Sequence, residues 1–242
     1  MIGVFDSGVG GLCAFGRLRE LLPYEDMLYL ADRANAPYGT KSEDEILEFT
    51  ENNIRLLSSL GCRRVLIACC SASSVWHRLG GAEREISTPI IRPAAALAAS
   101  LGGRVTVIAT SHTVRTGAFT REIGASSQIP VTELGEQGLV TLVEAGNRDG
   151  CIDSACDSYL RDMTDRIRAT GCSVLILGCT HFSHLMGEIS GRLPNVKIIS
   201  PAHVGAVEIM KKINPRREGG AVGYIATGHS HAPSKRAAVG LK

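Results

Sequence analysis

Two of the eight cysteines, Cys69 and Cys179, stand in matching sequence contexts that suit paired acid–base chemistry. The segments that end in them, GCRRVLIAC at residues 61–69 and GCSVLILGC at residues 171–179, align without a gap. Each begins with Gly-Cys at a predicted helix end, continues as an apolar strand and a small residue, and finishes with the cysteine. This internal repeat predicts two similar α/β halves, each of which presents one thiol to a shared cleft.

Two thiols on opposite sides of a substrate could remove a proton from its α-carbon and return one from the other face. One cysteine would be the thiolate base and the other the thiol acid, with the roles exchanged in the reverse direction. A free thiol has a pKa of about 8.5, and a helix N-terminus after each strand is expected to lower it. A lone buried cysteine is usually inert. We interpret five others as core or surface thiols: Cys13, Cys62, Cys151, Cys156 and Cys172.

The elements that must position these thiols alternate between short apolar runs and helical patterns. Predicted strands cover residues 2–5, 27–30, 65–68, 105–109, 174–178 and 196–199, with weaker candidates at 129–131 and 224–226. Predicted helices include 114–123, 136–145, 152–169 and 204–213, and Ser42 and Glu45 have capping-box spacing before another. The alternation predicts an α/β fold with parallel sheets flanked by helices. Ligands bind at the carboxyl ends of such strands, which here precede Asp6, Asp32, Cys69, Thr110 and Cys179.

Composition excludes several other classes of protein. The 242 residues are 44% hydrophobic and 21% charged, with a net charge of +2, which gives no field suited to nucleic acid or a membrane surface. No two cysteines have CxxC spacing, which argues against a zinc ribbon. The first residues, MIGVFDSG, lack the features of a signal peptide, and no apolar run approaches about 20 residues. We therefore expect a cytoplasmic protein with reduced thiols and no metal site.

Four motifs in order resemble the glutamate racemase family, within the wider aspartate/glutamate racemase superfamily. They are FDSGVGG at residues 5–11, Asp32 followed by PYGTK at 37–41, ACCSAS at 68–73 and GCTH at 178–181. The likeness runs from residue 1 to about residue 213 and is weaker between 125 and 160. It implies interconversion of L- and D-glutamate without a cofactor or metal, which would supply D-glutamate for peptidoglycan.

The resemblance also implies a role for individual residues. Cys69 and Cys179 would each act on one enantiomer, with Asp6 assisting proton movement near Cys69. His181, supported by Glu144, would do the same near Cys179. The groups implied to bind the acidic amino acid are Ser7, Pro37, Tyr38, Gly39, Cys70, Ser71, Thr113 and Thr180. Plainer interpretations exist, because Asp6 could cap a helix, Tyr38 could be a turn residue, and Glu144 could be solvated.

The chain departs from the family in two parts of the sequence. The family normally has asparagine and then threonine after the first cysteine, where this chain has Cys70 and Ser71. It also tends to have glutamate where Arg92 stands. Because a lost hydrogen bond to a charged ligand group costs about 1.5–3 kcal/mol, these changes predict weaker glutamate binding or another preferred amino acid. Cys70 could itself be the base, but the repeat pairs Cys69 with Cys179 and leaves Cys70 opposite Thr180.

Three other functions compete with glutamate racemisation. The chain could racemise aspartate or another acidic amino acid, or bind acidic amino acids with an impaired catalytic site. Cys179 and His181 could instead carry out acyl transfer, although Cys69 would then have no role. We expect the first half to comprise residues 1–92 and 204–242, and the second half residues 93–203, with the active site in the cleft between them. The sequence does not give an oligomeric state, and a homodimer is compatible with it.

Overall fold

The computed structural model describes residues 1–228, in which nine strands form two parallel sheets. The strands are β1 (Ile2–Asp6), β2 (Met27–Asp32), β3 (Arg64–Ile67), β4 (Ser87–Pro89), β5 (Val105–Ala109), β6 (Val131–Gly135), β7 (Val174–Gly178), β8 (Lys197–Ile199) and β9 (Val222–Thr227). The first sheet has the order β4-β3-β1-β2-β9 and the second the order β6-β5-β7-β8. Every pair of neighbouring strands is parallel, as the alternating sequence pattern predicts.

Eleven α-helices connect and cover these strands within the described residues. They are α1 (Leu12–Leu21), α2 (Glu43–Ser59), α3 (Cys70–Ser74), α4 (Gly81–Ile86), α5 (Ile91–Leu101), α6 (Ser111–Thr116), α7 (Ala118–Gly124), α8 (Gln137–Glu144), α9 (Ser154–Ala169), α10 (Met186–Arg192) and α11 (Pro201–Met210). Short 3₁₀ helices cover Tyr38–Thr40, Trp76–Arg78 and Thr180–Leu185. Helix α11 packs against both α1 and α5, and the three helices share a central apolar core with both sheets.

Several helix boundaries follow from local sequence signals. Ser42 and Glu45 form the predicted capping box at the start of α2, where the Ser42 amide donates to Glu45 Oε2 at 2.9 Å. Gly61 and Gly171 follow α2 and α9 with φ of +90° and +65°, a region that glycine enters without steric cost. The two segments of the internal repeat therefore leave their helices in the same way, and each leads into a strand that ends beside a cysteine.

The sequence and the structure differ in a few elements. The predicted helix 114–123 is two helices, α6 and α7, because Gly117 adopts a left-handed conformation with φ of +56°. The short edge strand β4 was not predicted, and β6 lies further along the chain than the predicted strand 129–131. Helix α11 begins earlier than expected because Ser200 caps it and Pro201 occupies its first turn. The predicted first half includes residues 229–242, which lie outside the described part.

Candidate active site

The two cysteines lie at equivalent positions of the two sheets. In the first sheet, the chain connections leave neighbouring strands β1 and β3 in opposite directions, and in the second sheet they do so at β5 and β7. The carboxyl ends of such strand pairs form a natural ligand crevice in α/β proteins. Asp6 ends β1, while Cys69, Thr110 and Cys179 lie just beyond the ends of β3, β5 and β7.

One inner cavity brings most of the predicted site residues together. Those that line it are Ser7, Pro37, Tyr38, Gly39, Cys69, Cys70, Ser71, Cys179, Thr180 and His181. Three residues that we did not assign to the site also line it, namely Thr110, Gln137 and Val140. Both Cys69 and Cys179 are therefore exposed to the same enclosed space, one from each sheet.

Cys69 makes its side-chain hydrogen bond to an uncharged group. Its Sγ lies 3.7 Å from Ser7 Oγ and donates to that hydroxyl. Burial and the negative charge of Asp6 raise the pKa of the Cys69 thiol to about 12, although the Ala72 amide and Ser7 act to lower it. The Ala72 amide belongs to the first turn of α3, so the helix N-terminus does act to lower the pKa of Cys69, but burial and Asp6 raise it by more. Helix α3 has only five residues, and burial outweighs its dipole.

Cys179 has a charged environment. Its Sγ lies 3.7 Å from Nδ1 of His181, whose Nε2 lies 2.6 Å from Oε1 of Glu144. Burial acts to lower the pKa of His181, but hydrogen bonds to Cys179 and Glu144, with the charges of Cys179 and Asp6, raise it to about 11. The hydrogen bond from His181 lowers the pKa of Glu144. The ring is thus held as an imidazolium between a sulfur atom and a carboxylate.

Asp6 links the two sheets rather than capping a helix. Its Oδ1 accepts from the Gly8 amide at 2.8 Å, and its Oδ2 accepts from the Thr180 hydroxyl at 2.9 Å. Because Asp6 ends β1 and Thr180 follows β7, this second bond joins the first sheet to the residue beside Cys179. The N-cap of α1 is Gly11, so the plainer interpretation of Asp6 as a helix cap does not hold.

The glycines of the first loop permit this contact between the halves. A Cβ on Gly10 would lie 2.6 Å from Thr180 Oγ1 and 2.7 Å from His181 Nδ1, closer than real Cβ contacts occur. A Cβ on Gly11 would lie 2.6 Å from the Cβ of Asp6. Glycine is therefore required here by the close approach of the loop to Asp6, Thr180 and His181.

A cluster of hydroxyl groups forms another wall of the cavity. Ser71 Oγ lies 3.2 Å from Thr110 Oγ1 and 3.5 Å from Thr113 Oγ1, and the two threonine hydroxyls are 3.1 Å apart. Thr110 lines the cavity, whereas the predicted binding residue Thr113 is fully buried and is not among the lining residues. The position of Thr110 directly after β5 was the sequence signal that could have placed it in the site.

The Tyr38 hydroxyl belongs to a buried hydrogen-bond network behind the cavity wall. It donates to Asp32 Oδ2 at 2.5 Å and accepts from Asn53 Nδ2 at 3.0 Å. Asn35 and Thr227 also donate to Asp32, and Thr227 belongs to the edge strand β9. The network therefore fixes the turn that carries Pro37, Tyr38 and Gly39, and the Tyr38 hydroxyl contributes by holding this turn.

The two departures from the family pattern lie in different places. Cys70 lines the inner cavity beside Cys69, and its side chain also packs into the central apolar core. Burial, with the charges of Cys179, Cys69 and Asp6, raises the pKa of Cys70 well above its ordinary value. Arg92 lies on α5, over the Trp76 ring and 3.3 Å from Glu122 Oε2, in a separate surface cleft. Of the two departures, the one at positions 70 and 71 lines the cavity.

An outer chamber adjoins the inner cavity and opens toward solvent. Ser7, Pro37, Gln137, Val140 and His181 line both spaces, and Arg33 and Glu144 line only the outer one. The Glu144 side chain is 46% exposed, yet it bonds to His181, so it is both solvated and part of the site. Gln137, Val140 and Glu144 occupy one face of α8 at helical spacing. Because Glu144 was already assigned to the site, this helical spacing could have indicated that Val140 and Gln137 face the site as well.

Two further properties of residues 1–228 bear on function. No group of three or more His, Cys, Asp or Glu side chains in this part of the chain is arranged to hold a metal ion. None of the helices described here combines the length and the apolar character needed to cross a bilayer.

Comparisons with known proteins agree with the motifs. The Asp/Glu/Hydantoin racemase family model matches residues 18–209. The glutamate racemase of Desulforudis audaxviator is 36% identical over 206 residues, covering 83% of this chain and 74% of the relative. That of Herpetosiphon aurantiacus is 32% identical over 243 residues, covering 94% of this chain and 92% of the relative. A crystal structure of the Francisella tularensis glutamate racemase with D-glutamate superimposes with a TM-score of 0.84 at 27% identity, over 95% of this chain and 89% of that one. This chain therefore belongs to the Asp/Glu/Hydantoin racemase family.

Proposed function

We propose that this protein is a glutamate racemase that interconverts L- and D-glutamate by a two-thiol mechanism. The observation that carries the proposal is the pair Cys69 and Cys179, which line one enclosed cavity from two different sheets. Inversion at a carbon requires a base on one face and an acid on the other, and two opposed thiols meet this need without moving. The family membership and the glutamate racemases among its relatives support the same reaction.

The charge distribution suggests which form each thiol has before substrate binds. The pKa of His181, raised to about 11, keeps the ring an imidazolium at neutral pH, and its Nδ1 lies 3.7 Å from the Cys179 sulfur, so we propose Cys179 as the base. Cys69, with a pKa of about 12, stays a neutral thiol. The Cys179 thiolate would take the α-proton of one enantiomer, while the Cys69 thiol gives its proton to the opposite face. After this turnover the protonation states are exchanged, which is the arrangement needed for the other enantiomer.

The substrate would be held mainly by uncharged donors. Ser7 and Ser71 offer hydroxyl groups at the cavity, with the backbone of Gly39 at one side, whereas the hydroxyl of Thr180 already donates to Asp6. Such groups can bind two carboxylates in a space from which water is largely excluded. We assign Thr110 to this set and give Thr113 a supporting position through its hydrogen bond to Thr110. The Francisella relative was crystallised with D-glutamate, which supports an acidic amino acid as the ligand here.

Asp6 is well placed to influence both thiols. Its carboxylate raises the pKa of Cys69 and also holds Thr180, the residue next to Cys179. We propose that Asp6 favours the protonated form of Cys69 and assists the movement of its proton. Both thiols and their neighbours supply every proton transfer in this scheme, so the step needs no cofactor.

The cellular role follows from the reaction. A glutamate racemase supplies D-glutamate for peptidoglycan, and we propose this role for the chain. A cytoplasmic location fits the chemistry because both thiols must stay reduced.

We propose that the chain divides into two halves, residues 1–92 with 204–242 and residues 93–203, and limited proteolysis would test this division. A homodimer stays a prediction that analytical ultracentrifugation would test.

The test of the proposed function is proton exchange with inversion. The reduced protein is incubated with L- or D-glutamate in heavy water, and proton NMR follows loss of the α-proton while chiral chromatography follows inversion. We expect deuterium to enter glutamate as it inverts. If aspartate reacts and glutamate does not, the two-thiol mechanism stands and the proposed substrate is wrong. Glutamate binding without exchange of the α-proton would favour an impaired binding protein, and hydrolysis of an activated acyl compound that needs only Cys179 would favour acyl transfer.

A further inference from the structure

Gln137 places an unused hydrogen-bond acceptor at the junction of the inner cavity and the outer chamber. It is the first residue of α8 and lines both spaces. Its Oε1 is buried and accepts no hydrogen bond from the described residues. The same oxygen lies against the substrate-facing turn, since a Cβ built on Gly39 would be 2.7 Å from it. A buried acceptor without a donor is unfavourable, and such an atom in a ligand cavity points to a donor that the ligand supplies.

The polar groups of an acidic amino acid identify that donor. Both carboxylates only accept hydrogen bonds, whereas the α-ammonium group only donates them. Both carboxylate oxygens of Asp6 already accept from Gly8 and Thr180, so Asp6 has protein donors of its own. Gln137 carries the only side-chain amide among the described residues that line the inner cavity. Its Oε1 is therefore a neutral acceptor that is free to accept a hydrogen bond from a bound ammonium group.

We propose that Gln137 is a substrate-binding residue whose Oε1 accepts a hydrogen bond from the α-ammonium group of the substrate. This inference rests on the proposed function, because it takes an acidic amino acid as the ligand. It also bears on the departure at Cys70, where the family has an amide and this chain has a thiol. Helix α8 supplies an amide to the same cavity from the other half of the molecule. Recognition of the ammonium group would separate amino acids from dicarboxylic acids of the same length.

The experiment compares two ligands that differ in the ammonium group. Glutarate has both carboxylates of glutamate and no ammonium group. Calorimetry, with competition for the weaker ligand, gives the ratio of glutamate affinity to glutarate affinity for each protein. In Gln137→Leu, we expect this ratio to fall about ten- to a hundredfold, the range for a lost hydrogen bond to a charged group. Glutarate affinity should change less than twofold.

Two further variants control for chemistry and folding. Gln128 is the other glutamine of the chain and is exposed outside both cavities, so Gln128→Leu makes the same change elsewhere and should leave the ratio unchanged. Gln137→Glu keeps an acceptor at the position and should retain most of the preference for glutamate. Thermal melting of all variants checks that the fold is intact.

The outcomes separate this inference from the proposed function. An unchanged ratio in Gln137→Leu, in a wild type that racemises glutamate, overturns the role of Gln137 and leaves the racemase intact. An equal loss of affinity for glutamate and glutarate overturns it as well, because the side chain would then only shape the cavity. If the ratio falls in Gln137→Leu but the wild type does not racemise glutamate, the role of Gln137 is supported and the proposed racemase function is overturned. A wild type that binds no glutamate overturns both.

Discussion

The surroundings of Cys69 and of Cys179 differ in charge although one sequence repeat builds both. Each cysteine follows a parallel strand at the edge of the same cavity. Cys69 contacts the neutral hydroxyl of Ser7, whereas Cys179 contacts His181, which Glu144 supports. The backbone therefore places the thiols alike, while the neighbouring side chains give each thiol a different electrostatic environment. The repeated pattern of apolar residues sets the position of each thiol, and individual neighbouring residues set its charge environment.

The largest effect we expect is loss of inversion when either thiol is removed. Cys69→Ala and Cys179→Ala should each slow glutamate inversion about 10²–10⁴-fold, because each removes one of two proton-transfer groups. Chiral chromatography from both enantiomers measures the rate. Inversion within about threefold of wild type in either variant would contradict the two-thiol mechanism. Thermal melting serves as the control for folding.

The same two variants also allow Cys69 and Cys179 to be compared separately, through exchange of the substrate α-proton without inversion. A single remaining thiol can remove and return a proton on its own face, so each variant should exchange the α-proton of one enantiomer with heavy water. Exchange by Cys69→Ala should be faster at neutral pH, because His181 stabilises the remaining thiolate. The remaining thiol of Cys179→Ala is Cys69, whose pKa is about 12. Faster exchange by Cys179→Ala than by Cys69→Ala would contradict our assignment of Cys179 as the base at neutral pH.

The next effect is that of His181→Asn, which removes the imidazolium beside Cys179. The raised pKa of His181 keeps the ring charged through neutral pH, and the charge is lost only as pH rises toward about 11. Wild-type activity should therefore change little around neutral pH. The variant should lose about 10²-fold at neutral pH and recover as pH rises past the ordinary thiol pKa of about 8.5. A parallel drop at every pH would show that the ring has a purely structural role.

A smaller effect is expected from Glu144→Gln, because this side chain is half exposed. Its lowered pKa keeps Glu144 charged at neutral pH, and the charge is lost only as pH falls below the ordinary value of 4.5. Removing the charge takes away one cause of the raised pKa of His181, so the alkaline limit of activity should move to lower pH. We expect a loss of about three- to tenfold at neutral pH, the size of one modest hydrogen bond. A pH–rate profile with an unchanged alkaline limit would exclude this coupling.

The smallest effect is expected from Ser7→Ala. The contact between Ser7 Oγ and the Cys69 sulfur is long, at 3.7 Å, and involves no full charge. We expect kcat to fall only about two- to fivefold from loss of this contact, since a long neutral hydrogen bond lies in the lower part of the range of about 0.5–1.5 kcal/mol, while KM should rise through loss of the proposed contact of the hydroxyl with the substrate. A fall in kcat as large as that of Cys69→Ala would contradict a minor role for this contact in proton transfer. Comparing KM with kcat in the variant separates the two roles.

Much of the fold could be predicted from the sequence because its signals are local. The apolar strands, the capping box at Ser42 and the glycines that close α2 and α9 each act within a few residues. The repeat also predicted that each cysteine lies at the carboxyl ends of the parallel strands of its own sheet, where ligands bind. The break at Gly117 was missed because apolar periodicity continues through it.

Other features depend on tertiary packing and could not be predicted. The raised pKa of Cys69 comes from burial, which the sequence does not give, and it overrides the helix N-terminus that the sequence does give. The position of Thr113 behind Thr110 depends on how α6 is turned against the cavity. The bond from Thr180 to Asp6 joins residues far apart in the chain. Only the geometry connects these groups.

The unequal environments of the two thiols have a consequence for the energetics of turnover. L- and D-glutamate are mirror images and have the same free energy in water, so their equilibrium constant is fixed by symmetry. The Haldane relation then requires kcat/KM to be equal in the two directions, however unlike Cys69 and Cys179 are. Any asymmetry must appear as a difference in kcat that an equal difference in KM cancels. The imidazolium beside Cys179 can thus set which enantiomer the resting enzyme binds more tightly, but never which one accumulates.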